Sequence, residues 1–481
     1  MKYILTLCTV LLSAWQLRAG ILSECYTKMA MPLQLNYLHF GYTESLHELD
    51  HNFRPWQASI YTGKGDMYCS VFHVTKADTL SDGKRKATSL SDYRSGQLLY
   101  QDYGTDGQVP VTQGMLEEQP YTLARYTPVL LLQHFLSEEI EESKDAPAGY
   151  AVYKSVLNGR HISLYIRKSD RLLDKVSILE HDDLYGDVLS TLYYSDYAQL
   201  EGQLHYPRKI RVEKYNGKLT DEIQVHGAEL REKAPVLLTP PDDYALWQPP
   251  LEEINIRTEK YNDRIHFIEL EHTDDRSLLV EFDHFLLVAE APLNSENGER
   301  ILAEAAKIAP GKPVKYFVFG HHHPHYLGGL RAFVHQGARI ICSDVNKEYV
   351  EYIARAPHTL QPDKLQQEPK PLRTELVKDS LRISEGGYEM IIYFIGNASQ
   401  HTDDYLLYYF PQEKLLFQDD LVWIPKEGPP AKAGARQEGL YKAIQGLGIQ
   451  VETIIQSWPV RDYGVKTIIP FRELEESVQK Q

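Results

Sequence analysis

The pattern of apolar and polar positions changes once along this chain. Up to about residue 233 it runs with period two. His161–Ile162–Ser163–Leu164–Tyr165–Ile166–Arg167 alternates, and so does Lys209–Ile210–Arg211–Val212–Glu213–Lys214–Tyr215. Successive side chains of a strand face opposite ways, so this alternation predicts half-buried strands. Asn216–Gly217 then predicts a tight hairpin, with Thr220 to Gly227 as the return strand. Leu189–Tyr194 reads as another strand, and apolar residues clustered from Thr127 to Glu142 predict a helix. Residues 20–233 are therefore expected to form a β-rich antiparallel domain. The stretch 234–250 holds several prolines and the turn signal Pro240–Pro241–Asp242–Asp243, and it reads as a linker.

From Leu251 onward strands alternate with helices. Strands are expected at Ile265–Leu270, Ser277–Phe282, Phe285–Ala289, Val314–Phe319 and Arg339–Ile341. Helices are expected at Glu296–Ile308, Leu330–Gln336 and Asn346–Ala354. Strands return at Tyr388–Phe394, Tyr405–Phe410, Leu415–Phe417 and Glu452–Gln456. Such alternation argues for a layered α/β fold with a mixed sheet over residues 251–481.

Composition narrows this picture. At 481 residues the chain exceeds one ordinary core, so two domains are expected. A hydrophobic share of 43% and a charged share of 25% are those of a globular protein. The net charge of −16 argues against a nucleic-acid partner. Lys2, the apolar run Tyr3 to Trp15 and the small residue at Ala19 read as a signal peptide over residues 1–19. The expected location is periplasmic or secreted, with a retained N-terminal anchor as the other reading. Cys25, Cys69 and Cys342 remain after cleavage. A Cys25–Cys69 disulfide is permitted in an oxidising compartment but not demanded, and Cys342 reads as a buried thiol.

The candidate chemistry lies in Gly320–His321–His322–His323–Pro324–His325–Tyr326–Leu327–Gly328–Gly329, which follows an apolar strand. In extended backbone, alternate side chains share a face, so His321, His323 and His325 can converge. Neutral imidazole suits zinc and also iron. The bland alternative is a solvated histidine loop or a tag, but the run sits mid-chain. His322 points the other way and is expected to meet an acid or solvent. Three further features follow. Asn397–Ala398–Ser399–Gln400–His401–Thr402–Asp403–Asp404 precedes a strand, Gln418–Asp419–Asp420 ends one, and Glu290–Ala291–Pro292 ends another.

With these residues the chain resembles the metallo-β-lactamase-fold hydrolases over Leu251 to Gln481. That resemblance implies an αββα sandwich with one or two metals. It implies that His321, His323 and His401 hold the first metal and that Asp420 is the acid between the two. It places His325–Tyr326 where the family has Asp-His, and no histidine follows the strand Glu452–Gln456, where Ser457–Trp458–Pro459 stands instead. The second site is thus depleted. The N-terminal region, with Ser195–Asp196–Tyr197 and Tyr206–Pro207, looks like an envelope-protein β domain.

Three readings follow. The leading one is an exported hydrolase with one zinc, whose activated water attacks an ester, thioester, lactone or amide of a small molecule. In it His325 exchanges protons and Tyr326 donates to a developing oxyanion. A second reading is a mononuclear iron oxygenase, with iron held by His321, His401 and Asp420. The third is a catalytically degenerate binding protein whose N-terminal domain takes an envelope lipid, glycan or protein partner.

Overall fold

The computed structural model describes residues 20–49, 51–105, 107–138, 140–251 and 253–480. The expected signal peptide lies outside the described residues. Two compact units emerge. The second comprises Leu49–Gln57, His181–Asp187 and Leu251 onward, and the first comprises the rest of the N-terminal half up to Pro250. No sequence signal marks the two short stretches of the N-terminal half that belong to the second unit. Among the described residues no helix is long and apolar enough to cross a membrane.

The first unit is built on an eleven-stranded sheet that runs from Gln97–Gln101 at one edge to Tyr150–Leu157 at the other. The described pairings are antiparallel. Lys214 pairs with Leu219 across the predicted hairpin, where Tyr215, Asn216 and Gly217 all take positive φ. Alternation turns Phe40, Ile162, Leu164 and Ile166 into a core shared with the helices Ile21–Met29 and Val129–Ser137. The helix expected over Thr127–Glu142 is therefore shorter than its apolar cluster suggests. The helix Gln113–Thr122 carries Pro120 and buries only Leu116 and Tyr121, so no apolar stripe announced it. Cys25 and Cys69 are free buried thiols, not a disulfide. Cys25 lies against Met29 Sδ and Cys69 against Thr127 Oγ1, and burial pushes both thiols up to about 12.

The second unit holds two sheets. One runs, in spatial order, Ile256–Lys260, Ile265–Leu270, Asp275–Glu281, Leu286–Ala289, Val314–Val318, Arg339–Ser343 and Thr374–Val377. The other runs Ser380–Glu385, Tyr388–Phe394, Leu406–Phe410, Leu415–Gln418, Thr453–Gln456 and Ile468–Pro470. The first sheet is antiparallel up to Leu286–Ala289 and parallel beyond it.

Strands buried on both faces read as continuous apolar runs, but their alternation still sorts the side chains. In Tyr405–Phe410, residues Leu406, Tyr408 and Phe410 join Phe267, Val280, Leu287 and Ile341 of the first sheet in one cluster. Tyr405, Leu407 and Tyr409 turn the other way, toward Leu440, Ile444 and Leu474 of the helices Ala435–Leu447 and Phe471–Gln479. The first sheet buries its other face in the same manner. Val288, Phe317 and Ile340 meet Ile301, Phe333 and Ile353 of the helices Ser295–Ile308, Leu330–Gln336 and Lys347–Arg355. Asn294 caps the first of these helices by accepting from the Asn297 N–H at 3.0 Å.

Candidate metal centre

Strand ends deliver the site. Val314–Val318 leads into the histidine loop, Leu415–Gln418 into Asp419–Asp420 and Leu286–Ala289 into Glu290. His401 follows the short helical turn Gly396–Ser399. The loop tightens into a helical turn at Pro324–Leu327, so His325 leaves the line of His321 and His323. The expectation that those three converge fails for this reason: alternation ends where the helical turn begins.

His321, His323 and His401 do converge. One nitrogen from each lies within 4.8 Å of the others, and all three residues are buried. Their outer contacts assign the protons, since tautomers follow from partners. His323 Nε2 faces the Asn52 carbonyl at 3.2 Å, which can only accept, so Nε2 carries the hydrogen. His321 Nδ1 donates to Asp419 Oδ2 at 2.6 Å. The lone pairs of His321 Nε2 and His323 Nδ1 then face each other at 2.9 Å, an arrangement that repels unless a cation stands between them. His401 Nε2 is buried without a hydrogen-bond partner among the described residues. It approaches Asp420 Oδ2 at 3.1 Å without the alignment of a hydrogen bond. Burial first, then the neighbouring imidazoles, pulls His323 down to about 3 and His321 well below the usual histidine range. Both rings are therefore neutral at neutral pH, as ligands must be. Three converging imidazole nitrogens with a carboxylate alongside fit a divalent transition metal.

Outer residues hold these ligands in place. The Tyr405 ring stacks on His321 at 4.9 Å. Its hydroxyl accepts the N–H groups of Asp419 at 3.0 Å and Asp420 at 3.2 Å, which fixes the turn that carries both acids. Glu290 lies behind, accepting from the Tyr408 hydroxyl at 2.6 Å and the Gly320 N–H at 3.2 Å. Burial raises the pKa of both Glu290 and Asp419, and Asp419 rises further through the charge of Glu290. A proton on that pair leaves Asp419 Oδ2 as the acceptor for His321. For Asp420, burial pushes upward, but His401 and the Arg436 charge prevail and hold it ionised.

The remaining candidates are placed differently. His322 points away from the triad, as its place in the alternation predicts, and pairs through Nδ1 with Asp404 Oδ1 at 3.1 Å. Asp403 pairs with Arg54 rather than with a ligand histidine. His325 is half-buried and bonds the wholly buried Asp275 through Nδ1 at 3.0 Å. Tyr326 is buried with its ring 4.3 Å from His321. Burial and the nearby Asp420 and Asp419 keep its hydroxyl protonated. Ser457, where the family pattern has a histidine, donates to the Arg276 carbonyl at 2.8 Å. Sequence reasoning missed Asp275, Arg436 and Asn52. Asp275 and Asn52 lie 50 and 271 residues from their partners, and no local pattern links them.

Gly320 yields a direct test. A Cβ there would lie 2.0 Å from Asp419 Oδ2, so Gly320→Ala must displace the acid that orients His321. The expected result is a folded protein with metal affinity reduced roughly 10–100-fold, the usual cost of losing an outer partner. Competition with a chelating dye measures it.

No protein-family model matches the chain, and no curated protein matches it. Among solved structures, a metallo-β-lactamase from Pontibacter korlensis is similar at 19% identity and TM-score 0.35, covering 47% of this chain and 100% of that one. The mono-zinc form of a metallo-β-lactamase from Pseudomonas aeruginosa is similar at 16% identity and TM-score 0.35, covering 47% and 95%. A flavoprotein from Thermotoga maritima is similar at 14% identity and TM-score 0.33, covering 47% and 61%.

Proposed function

We propose that residues 251–481 form an αββα sandwich of the metallo-β-lactamase type and act as a hydrolase with one zinc at His321, His323 and His401, beside Asp420. The observation that carries this reading is the convergence of three buried imidazoles, two of which commit their other nitrogen to Asp419 and the Asn52 carbonyl. The metal, once bound, supplies Lewis acidity and a water of lowered pKa.

The chain's own residues do the rest. His401, Asp420 and Tyr326 are all buried beside the triad, so a small substrate with an ester, thioester, lactone or amide carbonyl meets fixed groups of both kinds, the ionised Asp420 as acceptor and Tyr326 as donor. Tyr326 stays protonated and can donate a hydrogen bond to a developing oxyanion. Asp275 ties up Nδ1 of His325, which leaves Nε2 as the atom that exchanges a proton with the leaving group. The apolar leader in the sequence supports export. An envelope ligand for the N-terminal domain is proposed on the same footing.

The test is elemental mass spectrometry of the full mature chain, prepared without a tag, followed by hydrolase substrate panels. About one zinc per chain with turnover supports the reading. About one iron would favour the alternative built on His321, His401 and Asp420, and Asp420 Oδ2 does stand 3.1 Å from His401 Nε2. No bound metal after zinc is supplied would overturn both. Asp275→Asn separates binding from chemistry. It is expected to keep its metal while kcat falls roughly 10²–10⁴-fold, the usual worth of a positioned proton-transfer group.

A further inference from the structure

Asp420 has two neighbours of different kinds. Its Oδ2 lies 3.1 Å from Nε2 of His401 and 3.1 Å from Nη1 of Arg436. One oxygen thus stands between the imidazole triad and a guanidinium. Among the described residues this is the one hydrogen bond Arg436 makes. Four of its five N–H donors are left over, and the side chain is 38% exposed.

Helix electrostatics do not favour an arginine here. Arg436 sits in the first turn of the helix Ala435–Leu447, where a cation meets the positive end of the helix dipole. That is a poor place for a residue with only a surface to cover. Packing nonetheless fixes it firmly. Gly439, one turn on, abuts the turn before His401 so closely that a Cβ would lie 2.4 Å from the Ala398 carbonyl. The helix bearing Arg436 is therefore locked to the loop bearing His401. The other groups on this side are engaged: His325 with Asp275, and Ser457 with the Arg276 carbonyl.

We propose that Arg436 is the anion-binding residue of the centre, and that the substrate carries a carboxylate or phosphate group held by the free edge of this guanidinium. A planar fork matches both oxyanions in bidentate fashion. Asp420 holds the fork in place on its other side. This rests on the reading of the triad as a metal centre and adds the class of substrate to it.

The experiment is calorimetric titration of the full, zinc-supplied chain with inorganic phosphate and, separately, with acetate, in wild type, Arg436→Gln and Arg436→Lys. Bound zinc is measured on the same samples. The expected result is that wild type binds at least one probe and that Arg436→Gln binds it at least about tenfold more weakly, the scale of a hydrogen bond to a charged group. Arg436→Lys, which keeps the charge without the fork, should fall between, and zinc content should be equal in all three. Whichever probe binds names the oxyanion. Equal affinities in wild type and Arg436→Gln, or no binding of either probe by wild type, would overturn the proposal. Absence of zinc from wild type would instead overturn the metal-centre reading, and the ratio of probe affinities would still decide for or against Arg436.

Discussion

His323→Ala is expected to give a folded protein that retains no metal and turns over no substrate. Of the three ligands it is the cleanest to remove. Truncating His321 would strand Asp419 Oδ2, a wholly buried acceptor 2.6 Å from its only imidazole partner, and folding itself would suffer. Truncating His323 removes one contact of the Asn52 carbonyl and strands no buried acid. The loss should exceed the roughly 10–100-fold that an outer partner costs, because one of the three imidazole ligands is itself gone. Elemental analysis and a thermal melt on the same sample check this. The melt of the metal-free variant should match that of metal-free wild type. Since a bound ion stabilises only the state that holds it, added zinc should raise Tm in wild type and leave the variant unmoved. A variant that kept stoichiometric metal would remove His323 from the ligand set, overturn the zinc reading and favour the iron reading built on His321, His401 and Asp420.

The degree to which this site could be read in advance tracks the sequence separation of its parts. His321 and His323 are two residues apart in extended backbone, so their shared face follows from chain geometry. The strands around them were equally legible. Ile265–Leu270 and Tyr388–Phe394 fall where apolar runs of strand length placed them, although His266, Glu269 and Glu389 interrupt those runs. His325 shows where such reading stops. Pro324 opens a helical turn at that point, period two gives way, and His325 swings to Asp275. The helix Ile21–Met29 was also invisible, since its buried face holds only Leu22, Cys25, Tyr26 and Met29 in a stretch too short for periodicity to stand out. Glu290 was legible as an acid at a strand end, but not as the buried neighbour that raises the pKa of Asp419. Pairings such as Asp420 with Arg436 depend on how a distant helix packs, and sequence spacing does not encode that.

Arg331→Met is expected to destabilise the second unit by about 3–5 kcal/mol, the cost of leaving one member of a buried ion pair alone. Arg331 sits in the helix Leu330–Gln336 and is 2% exposed. Its guanidinium grips Asp363 through Nε at 2.6 Å and Nη2 at 2.9 Å. Nη1 serves the carbonyls of Ile353, Ala354 and Ala356, which end the helix Lys347–Arg355. Asp363 in turn accepts from Ser295 Oγ and from the N–H of Gln366, where it caps the helix Lys364–Gln367. One arginine therefore ties four helices together. Arg331→Met with Asp363→Leu should recover only part of the loss. The double variant removes the stranded charge, but three carbonyls and a helix cap stay unserved. The pH profile gives an independent check. Burial alone would raise Asp363, but the Arg331 hydrogen bonds, the Gln366 N–H and the Arg331 charge hold it at about 2 against an ordinary 3.8. A carboxyl depressed in the folded state adds stability above its unfolded value and loses it as pH falls. Wild type should therefore keep this contribution, roughly 2 kcal/mol, above about pH 4 and lose it as pH falls toward 2. Arg331→Met should start lower at neutral pH and lose less over that acid range, so the two denaturation curves converge on acidification. Parallel curves would show that Asp363 owes its acidity to the helix cap and not to the arginine.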